Sequence, residues 1–302
     1  MNQPAVLVTG GTGFLGSALV KRLLAGGYAV TVFSRSSAKV AGRFDASVKA
    51  VTRIDQLPEA DQFFAVVNLA GAGIFDGFWT AARKALIRNS RIQFTLQLVA
   101  WMTAAKSKPA FVSGSAIGYY GNQAERILDE DSRPVNDFSQ QLCADWETAA
   151  RTAELAGIRV CLIRTGLVLG DKGGILNRML LPFRMGFGGR LGSGNQWMSW
   201  IHIDDWIAIV MAMLTDSTMT GPYNAVAPEP VTNRQFSAAL AGQLHRPMLM
   251  PMPERLLRLV LGEMADVLLG SQRVVPKRLL ASGFRFQFNQ LSQALHNILN
   301  PV

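Results

Sequence analysis

The stretch AVLVTGGTGFLGSALVKRLLAGGYAVTVFSRS, residues 5–36, constrains the chain more than any other. Ala5–Thr9 is a short β-rich run and predicts a strand. Gly10, Gly13 and Gly16 follow at three-residue spacing. Leu15, Leu19, Leu23 and Leu24 then recur at the helical period, and Gly26–Gly27 closes the helix. Tyr28–Phe33 is a second apolar strand. This order of strand, glycine turn, helix and strand builds a seat for a dinucleotide pyrophosphate. Gly10 allows the tight turn, Gly13 lets the backbone approach the phosphates, and Gly16 lets the helix pack close to the sheet. The helix N-terminus turns free N–H groups and its positive dipole end toward the anion. Gly10, Thr12, Gly13, Phe14, Leu15 and Gly16 are the expected cofactor contacts.

The end of the second strand discriminates between cofactors. An NAD site places Asp or Glu there, where it holds the ribose 2′-hydroxyl. Here the strand runs into Phe33-Ser34-Arg35-Ser36, with no carboxylate. Arg35 can pair with a 2′-phosphate, so the expected cofactor is NADP(H).

The remaining sequence continues the alternation. Ala65–Leu69, Pro109–Ser113 and Arg159–Ile163 read as strands. Trp79 to about Ala105, Gln140–Leu155 and Trp206–Leu214 read as helices. Such alternation predicts an α/β fold, a doubly wound parallel sheet with helices on both faces. Nine glycines from Gly166 to Gly194 argue against long regular elements there, and for loops that approach a ligand or another chain segment. Proline-punctuated segments follow. The expected division is a cofactor domain over 1–165 plus about 202–227, and a smaller substrate domain over about 166–201 and 228–302. Between them, at the carboxyl ends of the strands, lies the expected ligand cleft.

Composition excludes several classes. The chain has 302 residues, 49% of them apolar, enough for a large core. No apolar run is long enough to span a membrane, and PAVLVTGG enters a strand directly, with no signal-peptide pattern. Two cysteines and three histidines make neither a disulfide framework nor a metal site, and fit a reducing cytoplasm. The net charge of +9 fits either nucleic acid or anionic small molecules. Its basic residues are spread along the chain, with mild clusters at Arg83–Arg91 and Arg273–Arg285 and no Lys/Arg block interleaved with aromatics. A small-molecule partner, not nucleic acid, is expected.

The runs VTGGTGFLG, NLAG, SRIQFT, SGSAIGYYG, LCADWE, IRTG, GSGNQWMSWIHIDD and PKRL, in this order, resemble an extended short-chain dehydrogenase/reductase. The chain is most similar to the NAD-dependent epimerase subgroup, some members of which are described as cell-division inhibitors. The resemblance implies a Rossmann domain, NADP(H), and a cleft for a nucleotide-sugar-like or other polar small molecule. It implies that Asn68 and Leu69-Ala70-Gly71 lie along the cofactor. It makes Ser115 the catalytic serine, with Ser113 as a secondary candidate, and sets Arg164-Thr165 beside the nicotinamide. His202–Asp205 matches the helix start that links the two domains, and Asp204 and Asp205 read as helix-capping residues. A homodimer through the two long helices is implied by the same analogy.

One part of the family pattern is missing. Its tyrosine is the general acid/base, and a lysine four residues on lowers the phenol's pKa and holds the nicotinamide ribose. Aligning Glu147 with the glutamate that follows this pair puts Ser139 and Cys143 in the two positions. None of the four tyrosines has a lysine four residues on. Three readings follow. The protein is an enzyme with a rebuilt site, its proton supplied by Tyr119, Tyr120 or Cys143 near Ser115. Alternatively it is a non-catalytic NADP(H) sensor or scaffold, or a macromolecular partner in cell division.

Overall fold

The computed structural model describes residues 3–300. Seven strands form one sheet: β1 (Ala5–Thr9), β2 (Ala29–Phe33), β3 (Lys49–Val51), β4 (Ala65–Asn68), β5 (Ala110–Ala116), β6 (Val160–Thr165) and β7 (Gly221–Ala225). All are parallel, in the order β3-β2-β1-β4-β5-β6-β7. The expected doubly wound sheet is therefore present. Its winding direction reverses between β1 and β4, which opens a crevice at the carboxyl ends.

The central strands are apolar on both sides because helices cover both faces. On one face Val6, Val8, Val32, Val67, Val112 and Ile163 pack with Leu19 and Leu23 of the Phe14–Ala25 helix and Trp206, Ile209 and Met213 of the Ile203–Thr215 helix. On the other face Leu7, Val66, Phe111 and Leu162 pack with Leu98 and Met102 of the Ile92–Thr103 helix and Ala150 of the Phe138–Arg151 helix. A short parallel pair, Leu167–Leu169 with Trp200–His202, continues from β6. It leads to a further apolar core of Leu176, Leu180, Phe183, Phe236, Leu240 and Leu295, which joins the helices Gly174–Arg184, Asn233–Gln243 and Leu291–Leu299. Among the described residues no helix is long and apolar enough to cross a membrane.

Several local expectations are corrected. The single helix expected from Trp79 to about Ala105 is two helices, Ala81–Asn89 and Ile92–Thr103. Ser90 makes the break: its Oγ donates to the Ile87 carbonyl and accepts the Ala72 N–H, both at 2.9 Å. The apolar period runs through the break, so only the docked loop reveals it. The expected Gln140–Leu155 helix starts earlier, at Phe138, where Asp137 Oδ1 caps the Gln140 N–H at 2.7 Å. Strand β5 extends beyond the expected Ser113 to Ala116 and so carries Ser115. The glycine-rich segment contains an eleven-residue helix, Gly174–Arg184, in the glycine-free window after Gly174. Its flanking glycines do make a close approach, to another chain segment: a Cβ on Gly173 would lie 2.8 Å from the Phe14 side chain.

The capping expected from Asp204 and Asp205 is also corrected. His202 caps the Ile203–Thr215 helix, its Nδ1 accepting the Asp204 N–H at 3.1 Å. The buried Asp205 carboxylate instead accepts the N–H groups of Gln287 (2.7 Å) and Phe288 (3.0 Å). It pins the C-terminal segment that the tertiary fold brings to it. The buried His202 ring stacks on Phe288 at 3.9 Å. Burial pushes its pKa below the ordinary 6.5, against the pull of Asp204 and Asp205. Protonation is thus disfavoured in the folded state. This contribution to stability is full above the unfolded value and lost as pH falls through the lowered folded value, by about 1.4 kcal/mol per unit of depression. Tm is expected to drop as pH falls below the ordinary histidine value of about 6.5. His202→Asn, which can still cap, should flatten that drop; an unchanged pH profile would assign it to other groups.

Candidate active site and cofactor cleft

The glycine turn after β1 forms as its spacing requires. Gly10 has a φ of +67°, and a Cβ there would lie 2.6 Å from the Leu69 carbonyl oxygen. The turns after β1 and β4 therefore touch at the crevice. A Cβ on Gly16 would overlap the Gly10 carbonyl oxygen. Gly13 is the helix N-cap and no side chain caps it. The first-turn N–H groups around Phe14, Leu15 and Gly16 are left for an anion. The residues present fit a dinucleotide pyrophosphate. Arg35 is exposed at the end of β2. Arg43, which the sequence did not single out, donates from Nη1 to the Thr12 carbonyl at 2.6 Å. It comes from 31 residues downstream, so no local pattern marks it.

Sheet register assembles the polar groups. Thr9 pairs with Asn68, and Asn68 with Ser113. Ser115 pairs with Arg164, and Arg164 with Asn224. Residues paired in register, or two apart on one strand, share a face. Two polar rows thus lie side by side, on the face covered by the Ile92–Thr103 and Phe138–Arg151 helices. In the first row Thr9 Oγ1 donates to Asn68 Oδ1 at 2.7 Å and accepts the N–H groups of Leu69 and Ala70, each at 3.1 Å. Asn68 Nδ2 donates to Thr95 Oγ1 at 2.8 Å, which also accepts Trp146 Nε1 at 3.1 Å. These bonds hold the Leu69-Ala70-Gly71 turn rigidly beside the glycine turn. Ser113 is fully buried, with only a 3.4 Å contact from its hydroxyl to the Gly114 carbonyl.

The second row is ionic. Ser115 Oγ donates to Glu147 Oε1 at 2.7 Å. Arg164 donates to the same carboxylate twice, Nε to Oε1 and Nη2 to Oε2, both at 2.8 Å. Its Nη1 donates to the Tyr120 hydroxyl at 3.0 Å, which donates to Asn224 Oδ1 at 2.7 Å. The Asn224 N–H reaches Glu130 Oε1 at 3.0 Å. The guanidinium of Arg164 is thus bonded within the protein, to Glu147 and Tyr120. Thr165 accepts Trp206 Nε1 at 3.0 Å.

The three proton-supply candidates are separated by this geometry. The Tyr120 hydroxyl is fully buried and bonded on both sides, and burial pushes its pKa to about 12. Cys143 is buried, and burial together with Glu147 raises its thiol to about 12. Tyr119 is partly buried, its ring face 3.5 Å from the Arg164 guanidinium carbon. Its hydroxyl has no protein partner among the described residues. The absence of the Tyr/Lys pair also has a steric counterpart. A Cβ on Gly118 would lie 3.3 Å from Ser139 Cβ and 3.6 Å from Cys143 Sγ. The Ile117–Tyr120 turn thus rests on the two positions where the pair would stand, and small side chains let it do so. Among the described residues no cluster of His, Cys, Asp or Glu could hold a metal ion.

This assembly has counterparts in known proteins. The NAD dependent epimerase/dehydratase family matches residues 6–225, and a Domain of unknown function (DUF1731) matches residues 252–298. The chain belongs to the NAD dependent epimerase/dehydratase family. Epimerase family protein Mb2239 of Mycobacterium bovis is 37% identical over 98% of this chain and 97% of its own length. The chloroplastic SDR39U1 homolog of Arabidopsis thaliana is 38% identical over 99% of this chain and 87% of its own. Among solved structures, the human epimerase family protein SDR39U1 with NADPH superposes with a TM-score of 0.88 at 35% identity, covering 99% of this chain and 100% of that one. A nucleoside-diphosphate sugar epimerase from Corynebacterium glutamicum superposes with a TM-score of 0.80 at 30% identity, covering 99% of this chain and 58% of that one. This family member is thus an extended short-chain dehydrogenase/reductase of the epimerase subgroup, and the missing Tyr/Lys pair is a departure within that fold.

Proposed function

We propose that the chain is an NADP(H)-dependent enzyme that acts on a polar small molecule of the nucleoside-diphosphate sugar class. The observation that carries this reading is the end of β5. Ser115 stands on that strand and Tyr119, whose hydroxyl has no partner among the described residues, in the turn after it; β4, whose own turn touches the glycine cradle, is the neighbouring strand. NADP(H) is supported by that cradle, by Arg35 in place of a carboxylate, and by the human relative, whose structure holds NADPH. The substrate class is supported by likeness to the Corynebacterium nucleoside-diphosphate sugar epimerase.

When bound, the nicotinamide supplies hydride transfer to or from a carbon bearing oxygen. The protein's own groups position that oxygen. Ser115 donates its hydrogen bond to Glu147, so its lone pairs are free to accept one from a substrate hydroxyl. Glu147 holds the serine rotamer, and Arg164 holds Glu147. Tyr119 is the remaining hydroxyl able to exchange a proton with a ligand at this position. Tyr120 and Cys143 are assigned to packing, since burial disfavours the charged form of each.

Turnover is tested by following NADPH oxidation or NADP+ reduction across a panel of nucleoside-diphosphate sugars. Ser115→Ala and Tyr119→Phe should each lower kcat/KM by about 10²-fold or more, with NADPH affinity retained. Cys143→Ala should leave it within about threefold of wild type. NADPH binding without turnover on any member of the panel would instead support the sensor reading. The close packing of the Ile117–Tyr120 turn on Ser139 and Cys143 favours that reading.

A further inference from the structure

We propose that Arg83 and Arg91 form an anion-binding site on the loop after β4, which takes a phosphate or carboxylate group of a ligand in the cleft. The proposal rests on the reading of this cleft as a site for NADP(H) and a small molecule.

Four basic side chains project from the Ala81–Asn89 helix and the break that follows it: Arg83, Lys84, Arg88 and Arg91. Two are neutralised. Lys84 pairs with Glu263, and Arg88 with Asp145 at 2.6 Å. The other two turn to the loop that begins at Gly71. Arg83 Nη2 donates to the Gly73 carbonyl, and Arg91 Nη1 to the carbonyls of Ala72 (3.0 Å) and Ile87 (3.2 Å). Neither has a carboxylate within ion-pair distance among the described residues. The acid nearest to them in this loop, Asp76, is taken by Arg178 at 3.3 Å.

The unmet hydrogen-bonding capacity is specific. Arg83 Nε is buried with no acceptor among the described residues. Arg91 Nε and Nη2 have no protein partner among the described residues. A guanidinium donates five hydrogen bonds, and its fork matches the paired oxygens of a carboxylate or phosphate. The Arg91 donors remain open to solvent or a ligand, whereas the buried Arg83 Nε, with a second like charge close by, is costly to leave unmet unless an anion arrives. Burial pushes the Arg91 pKa down most, and the charge of Arg83 pushes it further, against the pull of Cys143.

The backbone is shaped to admit this arrangement. A Cβ on Gly71 would lie 2.8 Å from Arg91 Cζ, so glycine lets the guanidinium approach the strand-end turn this closely, and a side chain there would push it aside. On its far side Arg91 faces the Trp146 ring at 5.2 Å. The site therefore sits between the turn after β4 and the Phe138–Arg151 helix. The Leu69 carbonyl of that same turn abuts Gly10 of the cofactor cradle. From this place the pair can reach a phosphate of the dinucleotide or an anionic group of a second ligand.

The test is isothermal titration of the full chain with NADPH, and with inorganic pyrophosphate on the NADPH-saturated protein. Arg83→Met, Arg91→Met and the charge-keeping Arg91→Lys are compared with wild type, each confirmed folded by its melting curve. If the second ligand supplies the anion, pyrophosphate binds the NADPH-saturated wild type, and each Met variant weakens it by about tenfold or more with NADPH affinity unchanged. If the cofactor supplies it, the NADPH-saturated wild type takes no pyrophosphate and the Met variants weaken NADPH itself by a similar factor. In either case Arg91→Lys should lose less than Arg91→Met. Variants that bind both probes as wild type does would overturn the site. Wild type that binds no NADPH would overturn the underlying cofactor reading instead, and pyrophosphate binding to the ligand-free variants would then decide the site alone.

Discussion

Glu147→Ala is expected to be among the most destabilising single changes in this chain. Glu147 and Arg164 are 4% and 3% exposed and joined by two 2.8 Å hydrogen bonds. Removing the carboxylate leaves a buried guanidinium without its counter-charge and Ser115 without its acceptor. Breaking a buried pair from one side costs about 3–5 kcal/mol. At about 2–4 °C per kcal/mol this is a Tm lower by about 6–20 °C. Adding Arg164→Met should recover much of the loss, because it removes the orphaned charge and keeps the volume. Calorimetry of the single and double variants checks the coupling. A single variant that melts within about 2 °C of wild type would show that the row is not held by this ion pair.

Arg35→Asp is expected to shift cofactor selectivity from NADPH toward NADH by about 100-fold or more. A charge-assisted hydrogen bond to the 2′-phosphate contributes about 1.5–3 kcal/mol, or about 10- to 150-fold in affinity. The introduced carboxylate repels that phosphate and can accept a free 2′-hydroxyl instead. Paired titrations with NADPH and NADH measure the ratio. An unchanged ratio would place the 2′-phosphate elsewhere, and Arg43, which is bonded to the Thr12 carbonyl, would be the next residue to replace.

The cofactor cradle was readable because its determinants are local. Gly10, Gly13 and Gly16 act within one turn, and their spacing states the backbone they allow. The sheet was readable from its period, and the missing Tyr/Lys pair from simple inspection of residues 138–147. The break at Ser90–Arg91 was not, because a loop from β4 makes it while the apolar pattern runs on. The roles of Ser115, Tyr119, Tyr120 and Cys143 could not be ranked from the chain either. Two adjacent tyrosines read identically in sequence. In the fold one hydroxyl is sealed between Arg164 and Asn224, and the other has no protein partner among the described residues.

The sequence by itself determined the layered sheet, the seat for an anionic dinucleotide and the loss of the family's acid/base pair, since each depends on residues within one turn or one period. Only the tertiary structure decided where charge is spent. Strand register set Ser115, Arg164 and Asn224 in one row, so Arg164 turns inward to Glu147. Helix packing turned Arg83 and Arg91 to the loop after β4, with no carboxylate within ion-pair distance among the described residues. Whether a charge is paired depends on neighbours far away in the chain, and pairing is what separates a structural arginine from one free to meet a ligand.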